Sequence, residues 1–324
     1  MQASLGVMVV IAVGMLLAAS AAGTGDGPSP TTEGAKRAPL PNASSSAPID
    51  CTAQLPPDLN EIHATVTPWK LDKFFPLTDV PEPSGLCYCP LTQTMFVVDD
   101  GAPDRPAGLY ELSIEDCKVL RSLRLGKDLE GVTYAPTTKR LYVSDEEGDM
   151  VHVVDPRQLK ELGSFPVSRF FQGKEILQAG GNSFEGIAWY SGVLGSDGGP
   201  GFLILLNQDD PTCLVWLDLD GLQLSQTARV LEYYVLPQRN SGELYIDTAH
   251  DELWVANSWL NTCEILDLNA TPDVGAQWPV KRWEVLPGMA QEGIAFDPQG
   301  RLWIGQDAGG IARYVWAPQS TQSK

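Results

Sequence analysis

The stretch QEGIAFDPQGRLWIGQDAGG, Gln291–Gly310, decides the fold. It opens on Glu292-Gly293, runs through a short alternating segment (Ile294, Phe296) and turns at Asp297-Pro298-Gln299-Gly300. It leaves through a second apolar run (Leu302, Trp303, Ile304) that ends in Gln306-Asp307. Proline fixes φ and glycine tolerates the φ values other residues avoid, so two such runs across a Pro/Gly turn make an antiparallel hairpin. An isolated hairpin buries too little surface to stand alone, and the question becomes whether the unit recurs.

It recurs. Aligned on glycine, there are five copies, at Gly85, Gly131, Gly186, Gly242 and Gly293, spaced by 46, 55, 56 and 51 residues. Each leads to a second apolar run (Met95–Val98, Leu141–Val143, Phe202–Leu206, Leu253–Ala256, Leu302–Ile304) and then a third (Gly108–Ser113, Met150–Val154, Cys213–Asp218, Thr262–Leu268, Ile311–Trp316). Four copies continue into a fourth, at Val119–Leu125, Glu161–Val167, Ala228–Leu236 and Lys281–Leu286. Four antiparallel strands repeated at such a period predict an all-β chain, a five-bladed β-propeller of four-stranded antiparallel blades. The fifth copy stops after its third strand, while Trp69–Leu77 (WKLDKFFPL) precedes the first copy without a blade of its own. That segment is expected to supply the outer strand of the last blade and so close the ring. Arg157–Leu162 has the pattern for a single short helical turn.

The rest of the chain frames this domain. Residues 1–22 carry an unbroken run of apolar residues and Gly, Leu5–Leu17, followed by small-residue cleavage motifs at Ala19-Ser20-Ala21 and Ser20-Ala21-Ala22. This is the pattern of a secretory signal, too short for a membrane span. Residues 23–65 are a flexible Pro/Ser/Gly-rich linker, and residues 66–324 hold the propeller. Localisation is therefore expected to be secreted, extracellular or periplasmic, with tethering only if the signal stays uncleaved and no membrane insertion once it is removed. Asn42-Ala43-Ser44 and Asn269-Ala270-Thr271 match the glycosylation pattern. The six cysteines, at 51, 87, 89, 117, 213 and 263, show no zinc-binding spacing and permit one or two bridges of undetermined pairing. A net charge of −19 argues against nucleic acid, whose affinity comes from Lys and Arg neutralising phosphates.

Where the carboxylates stand matters more than how many there are. In a propeller the inner strand of each blade lines the axis, and its start shares a face with the end of the second strand. Glu130, Glu185 and Glu292 start inner strands. Asp99-Asp100, Asp145-Glu146, Gln208-Asp209-Asp210, Asn257 and Gln306-Asp307 end second strands. A ring of acids around an axis calls for a counter-charge. Ca²⁺ takes six to eight oxygen ligands in irregular geometry, so Glu130, Glu185 and Glu292 are the expected ligands of a Ca²⁺ at the channel mouth. Asp99, Asp145, Asp209, Asn257, Asp307 and Glu243 are the rim or supporting candidates. The alternative for each Glu is a solvent-facing cap of its own blade. The first copy has Ser84 in place of Glu, and the fourth reads Gly242-Glu243 in reversed order. The Gly of each unit is expected to permit close backbone approach near the axis, and the aromatic three residues on (Tyr88, Tyr134, Trp189, Tyr245, Phe296) to pack between blades. Only His63, His152 and His250 are present, none placed to join a Ser and an Asp, and no G-x-S-x-G elbow occurs.

These blocks, PSGLCY…FVVDDG, DLEGVTY…LYVSDE, SFEGIAW and QEGIAFDPQGRLWIGQD, resemble the SdiA-regulated family over about residues 66–316. The family consists of exported or membrane-tethered propellers related to the NHL-repeat type. The resemblance implies a five-bladed propeller with a Ca²⁺ site, carried over here to Glu130, Glu185 and Glu292. It implies no defined enzymatic activity. Two functions follow as expectations. One is a non-enzymatic binding module for a protein or glycan partner. The other is a Ca²⁺-dependent hydrolase of esters, lactones or phosphate esters, which rests on analogy of fold.

Overall fold

The computed structural model describes residues 67–102, 105–177, 183–191, 201–209, 211–239, 241–258, 260–287, 291–306 and 309–317. The signal segment, the linker, Asn42, Cys51, His63, Asp210 and Asp307 lie outside the described residues.

The chain enters through β1 (Trp69–Pro76). Blade one is β2 (Pro83–Cys89), β3 (Thr94–Asp99), β4 (Gly108–Leu112) and β5 (Val119–Arg124). Blade two is β6 (Leu129–Ala135), β7 (Arg140–Asp145), β8 (Met150–Asp155) and β9 (Lys160–Pro166). A small hairpin, β10 (Phe170–Phe171) and β11 (Lys174–Glu175), precedes blade three. That blade is β12 (Phe184–Tyr190), β13 (Phe202–Asn207), β14 (Cys213–Asp218) and β15 (Arg229–Val235). Blade four is β16 (Ser241–Asp247), β17 (Glu252–Asn257), β18 (Thr262–Asp267) and β19 (Val280–Val285). Blade five holds β20 (Gln291–Phe296), β21 (Leu302–Gln306) and β22 (Gly310–Trp316). Its fourth strand is β1, antiparallel to β22 from Trp69↔Trp316 to Pro76↔Gly310. The result is a five-bladed propeller closed by its N-terminal strand. No helix occurs among the described residues, and Arg157–Leu162 forms the turn and first residues of the β8–β9 hairpin instead.

The core lies between blades rather than within them. Five apolar clusters occupy the five joints. Strand alternation explains this. In β3, Met95 and Val97 face blade five while Phe96 and Val98 face blade two. A strand buried on both faces reads as a continuous apolar run, which is why the second strands looked unalternating in the sequence. The outer strand β5 (VLRSLR) has only one neighbour to face, and its side chains alternate between half-buried and exposed. The recurrent aromatics fill the joints as expected: Trp189 stacks on Tyr142 across blades two and three at 5.6 Å, and Phe296 meets Tyr245 across blades four and five at 4.7 Å.

Each inner strand carries a register irregularity just inside its start. The flanking pairs are equivalent in all five blades: Pro83↔Asp99, Leu129↔Asp145, Phe184↔Asn207, Ser241↔Asn257 and Gln291↔Gln306. Bulges re-aim side chains, and these lie where the Glu residues stand. They also correct the alignment of the fourth copy. Counting from the paired residue, Gly242 occupies the position of Glu130, and Glu243 occupies the position held by glycine elsewhere. The five described cysteines form no disulfide.

Candidate functional site

Glycines bring the inner strands together at the axis. A Cβ on Gly131 would lie 2.7 Å from the Glu185 carbonyl oxygen, and one on Gly293 would lie 2.5 Å from the Ser84 carbonyl oxygen. Neither distance is tolerable, so the close approach depends on the missing side chain. In blade four that position carries Glu243, fully buried, whose carboxylate reaches across to the Gly85 backbone of blade one. Its Oε1 accepts from the Leu244 amide at 2.7 Å and the Ile187 amide at 3.3 Å. The Leu86 amide contributes a weaker polar contact, and Oε2 lacks a well-formed hydrogen bond. Burial, then the charge of Glu130, pushes the Glu243 carboxyl well up, against the pull of these amides. Glu243 is therefore buried between the inner strands rather than exposed at the rim.

Above it the starts of the inner strands enclose a cavity of about 230 Å³. Glu130 from β6, Glu185 from β12 and Glu292 from β20 all line it, with Ser84 and Asp100 from blade one and Gln208 after β13. No Lys, Arg or His lines this cavity among the described residues. Ser84 fills the place of the missing blade-one Glu by donating to Glu130 Oε2 at 2.9 Å. Asp128 completes a triplet: oxygens of Asp100, Asp128 and Glu130 lie within 4.8 Å of one another. Asp100 Oδ1 is buried and makes no hydrogen bond.

The titration of this cluster follows from crowding. Burial raises Glu130 to about 8, the Ser84 hydroxyl opposes this, and Asp128, Glu146 and Asp100 raise it further. Asp100 goes to about 7 through burial and then Glu82, Asp99 and Asp128. Glu185 lies well above its ordinary value, from burial and then Glu130, Glu146 and Glu292. Each shift says that a negative charge here lacks a partner. The donor set is all hard oxygen, and it contains an orphaned carboxylate oxygen. It fits an oxygen-loving divalent cation such as Ca²⁺.

The remaining candidates are held by the protein itself. Asp99 is buried against Arg105 and accepts from the Gly101 amide at 3.0 Å. Asp145 is bound by His152 Nε2 at 3.1 Å and the Lys127 amide at 3.3 Å. Asp209 faces Arg239 at 3.6 Å. Asn257 donates to the Arg239 carbonyl at 2.7 Å and accepts from the Leu260 amide at 3.0 Å, a loop brace. Asp128 was missed in the sequence. It stands just before β6, two residues ahead of Glu130, and that short acidic spacing was the available signal. His152 is engaged by Asp145 and, at 2.9 Å, by Glu161, and His250 sits in the turn on the opposite face of the ring.

No family profile matches the chain, and no curated protein matches it. Solved structures do. A glutaminyl cyclase from Myxococcus xanthus is similar at 15% identity and a TM-score of 0.54, over 76% of this chain and 95% of that one. A chain of the nidogen/laminin complex matches at 15% identity and 0.43, over 70% and 73%. The Cps50 (Swd1) β-propeller domain of Myceliophteria thermophila matches at 12% identity and 0.39, over 74% and 65%. At such identities only the first likeness bears on the chain, and it bears on the fold alone: this is a β-propeller.

Proposed function

We propose that the chain is an exported, Ca²⁺-binding and non-enzymatic interaction module of the SdiA-regulated type. The observation that carries the reading is the channel-mouth cavity. Carboxylates from blades one, two, three and five converge there, and among the described residues no Lys, Arg or His lines it. Glu130, Glu185, Glu292 and Asp100, helped by Asp128, would hold the ion, and a bound Ca²⁺ would supply the positive charge that the cluster lacks. Glu243 lies buried among the inner strands, its carboxylate against the Gly85 backbone. Family type and export are supported by the sequence blocks and the signal segment.

Isothermal titration of Ca²⁺ into the purified chain is expected to give one site, with Glu185→Gln weakening it about tenfold or more. Hydrolysis of p-nitrophenyl acetate, a simple lactone and p-nitrophenyl phosphate should stay at the buffer rate with and without Ca²⁺. Absence of Ca²⁺ binding would remove the ion from the reading. Ca²⁺-dependent turnover lost in Glu185→Gln would make the protein a hydrolase.

A further inference from the structure

A second cavity, of about 390 Å³, opens on the face opposite the carboxylate cup, at the joint of blades four and five. Its size lies within the range of small-ligand sites, ~300–1,000 Å³. Two kinds of residue line it. Trp69, Tyr245, Trp254, Phe296 and Trp316 form an aromatic wall, and Asp247, His250, Glu252, Arg282 and Glu284 form a polar edge.

The aromatic wall is a corner rather than a flat patch. Trp69 meets Trp316 at 5.0 Å and 79°, and Trp254 meets Phe296 at 5.5 Å and 78°. Trp316 stays 54% exposed at the end of the last strand. Trp254 is buried, and its indole N–H has no hydrogen-bond acceptor. A large exposed Trp beside a polar cavity is the arrangement that receives a ligand with one apolar and one polar face.

The polar edge decides the ligand's charge. Arg282 lies against Glu252, with Nη2 at 2.9 Å from Oε2, and its Nε is 3.1 Å from Glu284. Lys281 adds a contact to Glu252 at 2.9 Å, and His250 lies 2.7 Å from Asp247. Three carboxylates thus face Arg282, Lys281 and His250, whose own charge is favoured by Asp247. Arg282 and Lys281 already lie against these carboxylates, so a further cation beside the rings would meet positive as well as negative charge. What remains is a set of hydrogen-bond donors and acceptors beside exposed aromatic surface. A pyranose matches both parts, with its C–H face on a ring and its hydroxyls bridging guanidinium and carboxylate.

We propose that this cavity is a carbohydrate site for a neutral pyranoside, stacked on Trp316 and held through its hydroxyls by Arg282, Glu252, Glu284 and Asp247. The proposal rests on the interaction-module reading and is independent of the ion, since the two sites lie on opposite faces.

The test is titration of cellobiose, maltose, lactose and N,N′-diacetylchitobiose into the chain, followed by intrinsic tryptophan fluorescence and calorimetry, with choline as a cationic control. At least one disaccharide should bind. Trp316→Ala and Glu284→Gln, both at partly open positions, should each weaken it about tenfold or more with unchanged melting temperature. Failure of all four sugars, or sugar binding unaltered in Trp316→Ala, overturns the proposal. Choline binding lost in Trp316→Ala without sugar binding overturns it in favour of a cation cage. Sugar binding should persist in chelator, so loss of Ca²⁺ binding alone would remove only the ion, and loss of sugar binding alone only this site.

Discussion

Glu243 stands where four blades have glycine, and the contrast shows what the axis demands of single residues. At Gly131 the neighbouring backbone is so near that a methyl group would sit 2.7 Å from the Glu185 carbonyl oxygen and 2.9 Å from the Ile187 nitrogen. At Gly242 a methyl would meet only the Glu292 carboxylate, at 3.3 Å. Gly131→Ala should therefore cost about 1–3 kcal/mol through overpacking and lower the melting temperature by about 3–10 °C, while Gly242→Ala changes it little. Differential scanning calorimetry of the two variants checks the contrast. Glu264 poses the opposite problem. It is fully buried, neither carboxylate oxygen has a hydrogen-bond partner, and burial raises its carboxyl to about 8 from 4.5. Below pH 4.5 the group is protonated whether folded or not. Between 4.5 and 8 the unfolded chain releases the proton and the folded chain keeps it, so stability falls as pH rises through that window and levels off above it. Glu264→Met removes the titration. Its advantage over the parent should grow from pH 4.5 to 8 by up to about 3–5 kcal/mol, read from urea melts at both ends of the range. A constant difference across that range would show that Glu264 is charged or paired in the fold.

At the scale of elements, β1 carries the closure of the ring. Its Phe75 stacks on Trp303 of blade five at 5.7 Å and 14°, and Arg313 of β22 reaches Asp72 at 2.6 Å. Without β1, β22 would present an open edge to solvent. Phe75→Ala should cost about 3–5 kcal/mol, whereas Leu71→Ala on the same strand, 59% exposed, should cost under about 0.5 kcal/mol in urea unfolding. Similar losses at both positions would mean that β1 does not close the ring. This strand was legible beforehand because the arithmetic of the repeat left one apolar segment without a blade and one blade without a strand. The strand cores were legible because apolar runs of fixed order between Pro/Gly turns leave few alternatives. The register at the inner-strand starts was not. A bulge shifts which residue faces the axis by one, and aligning Gly242 with the other glycines put Glu243 among the rim or supporting candidates when its side chain is buried between the inner strands. Nor could second-strand acids be sorted. Asp99 and Asp145 are spent on Arg105 and His152, partners set by loop geometry and cross-strand pairing, while Asp100 next door faces the cavity. The aromatic cavity was invisible for a related reason. Tyr245 and Phe296 were rightly read as joint packing, but its outer wall needs Trp69 and Trp316, 247 positions apart and adjacent only through closure.

The propeller is a ring of five blades, and at its axis one cup gathers acids from four of them. The net charge of −19 is repulsive, and in the cup carboxylates of four blades stand close together. A cation in the cup would relieve that repulsion and tie together strands far apart in sequence, from Asp100 to Glu292. Binding to the folded state alone adds about 2.7 kcal/mol at a free concentration one hundred times Kd, or about 5–10 °C in a domain of this size. The distribution of that gain separates a ring from a local clasp. If the ion engages Glu185 and Glu292 as well as Asp100, Asp128 and Glu130, Ca²⁺ should slow amide exchange together in β2, β6, β12 and β20. The outer strands β5, β9, β15 and β19 should change little. Protection confined to the residues around Asp100 and Glu130 would mean that the acidic triplet of blades one and two holds the ion by itself. Glu185→Gln would then leave both affinity and melting temperature nearly unchanged, and the cup would be a two-blade site.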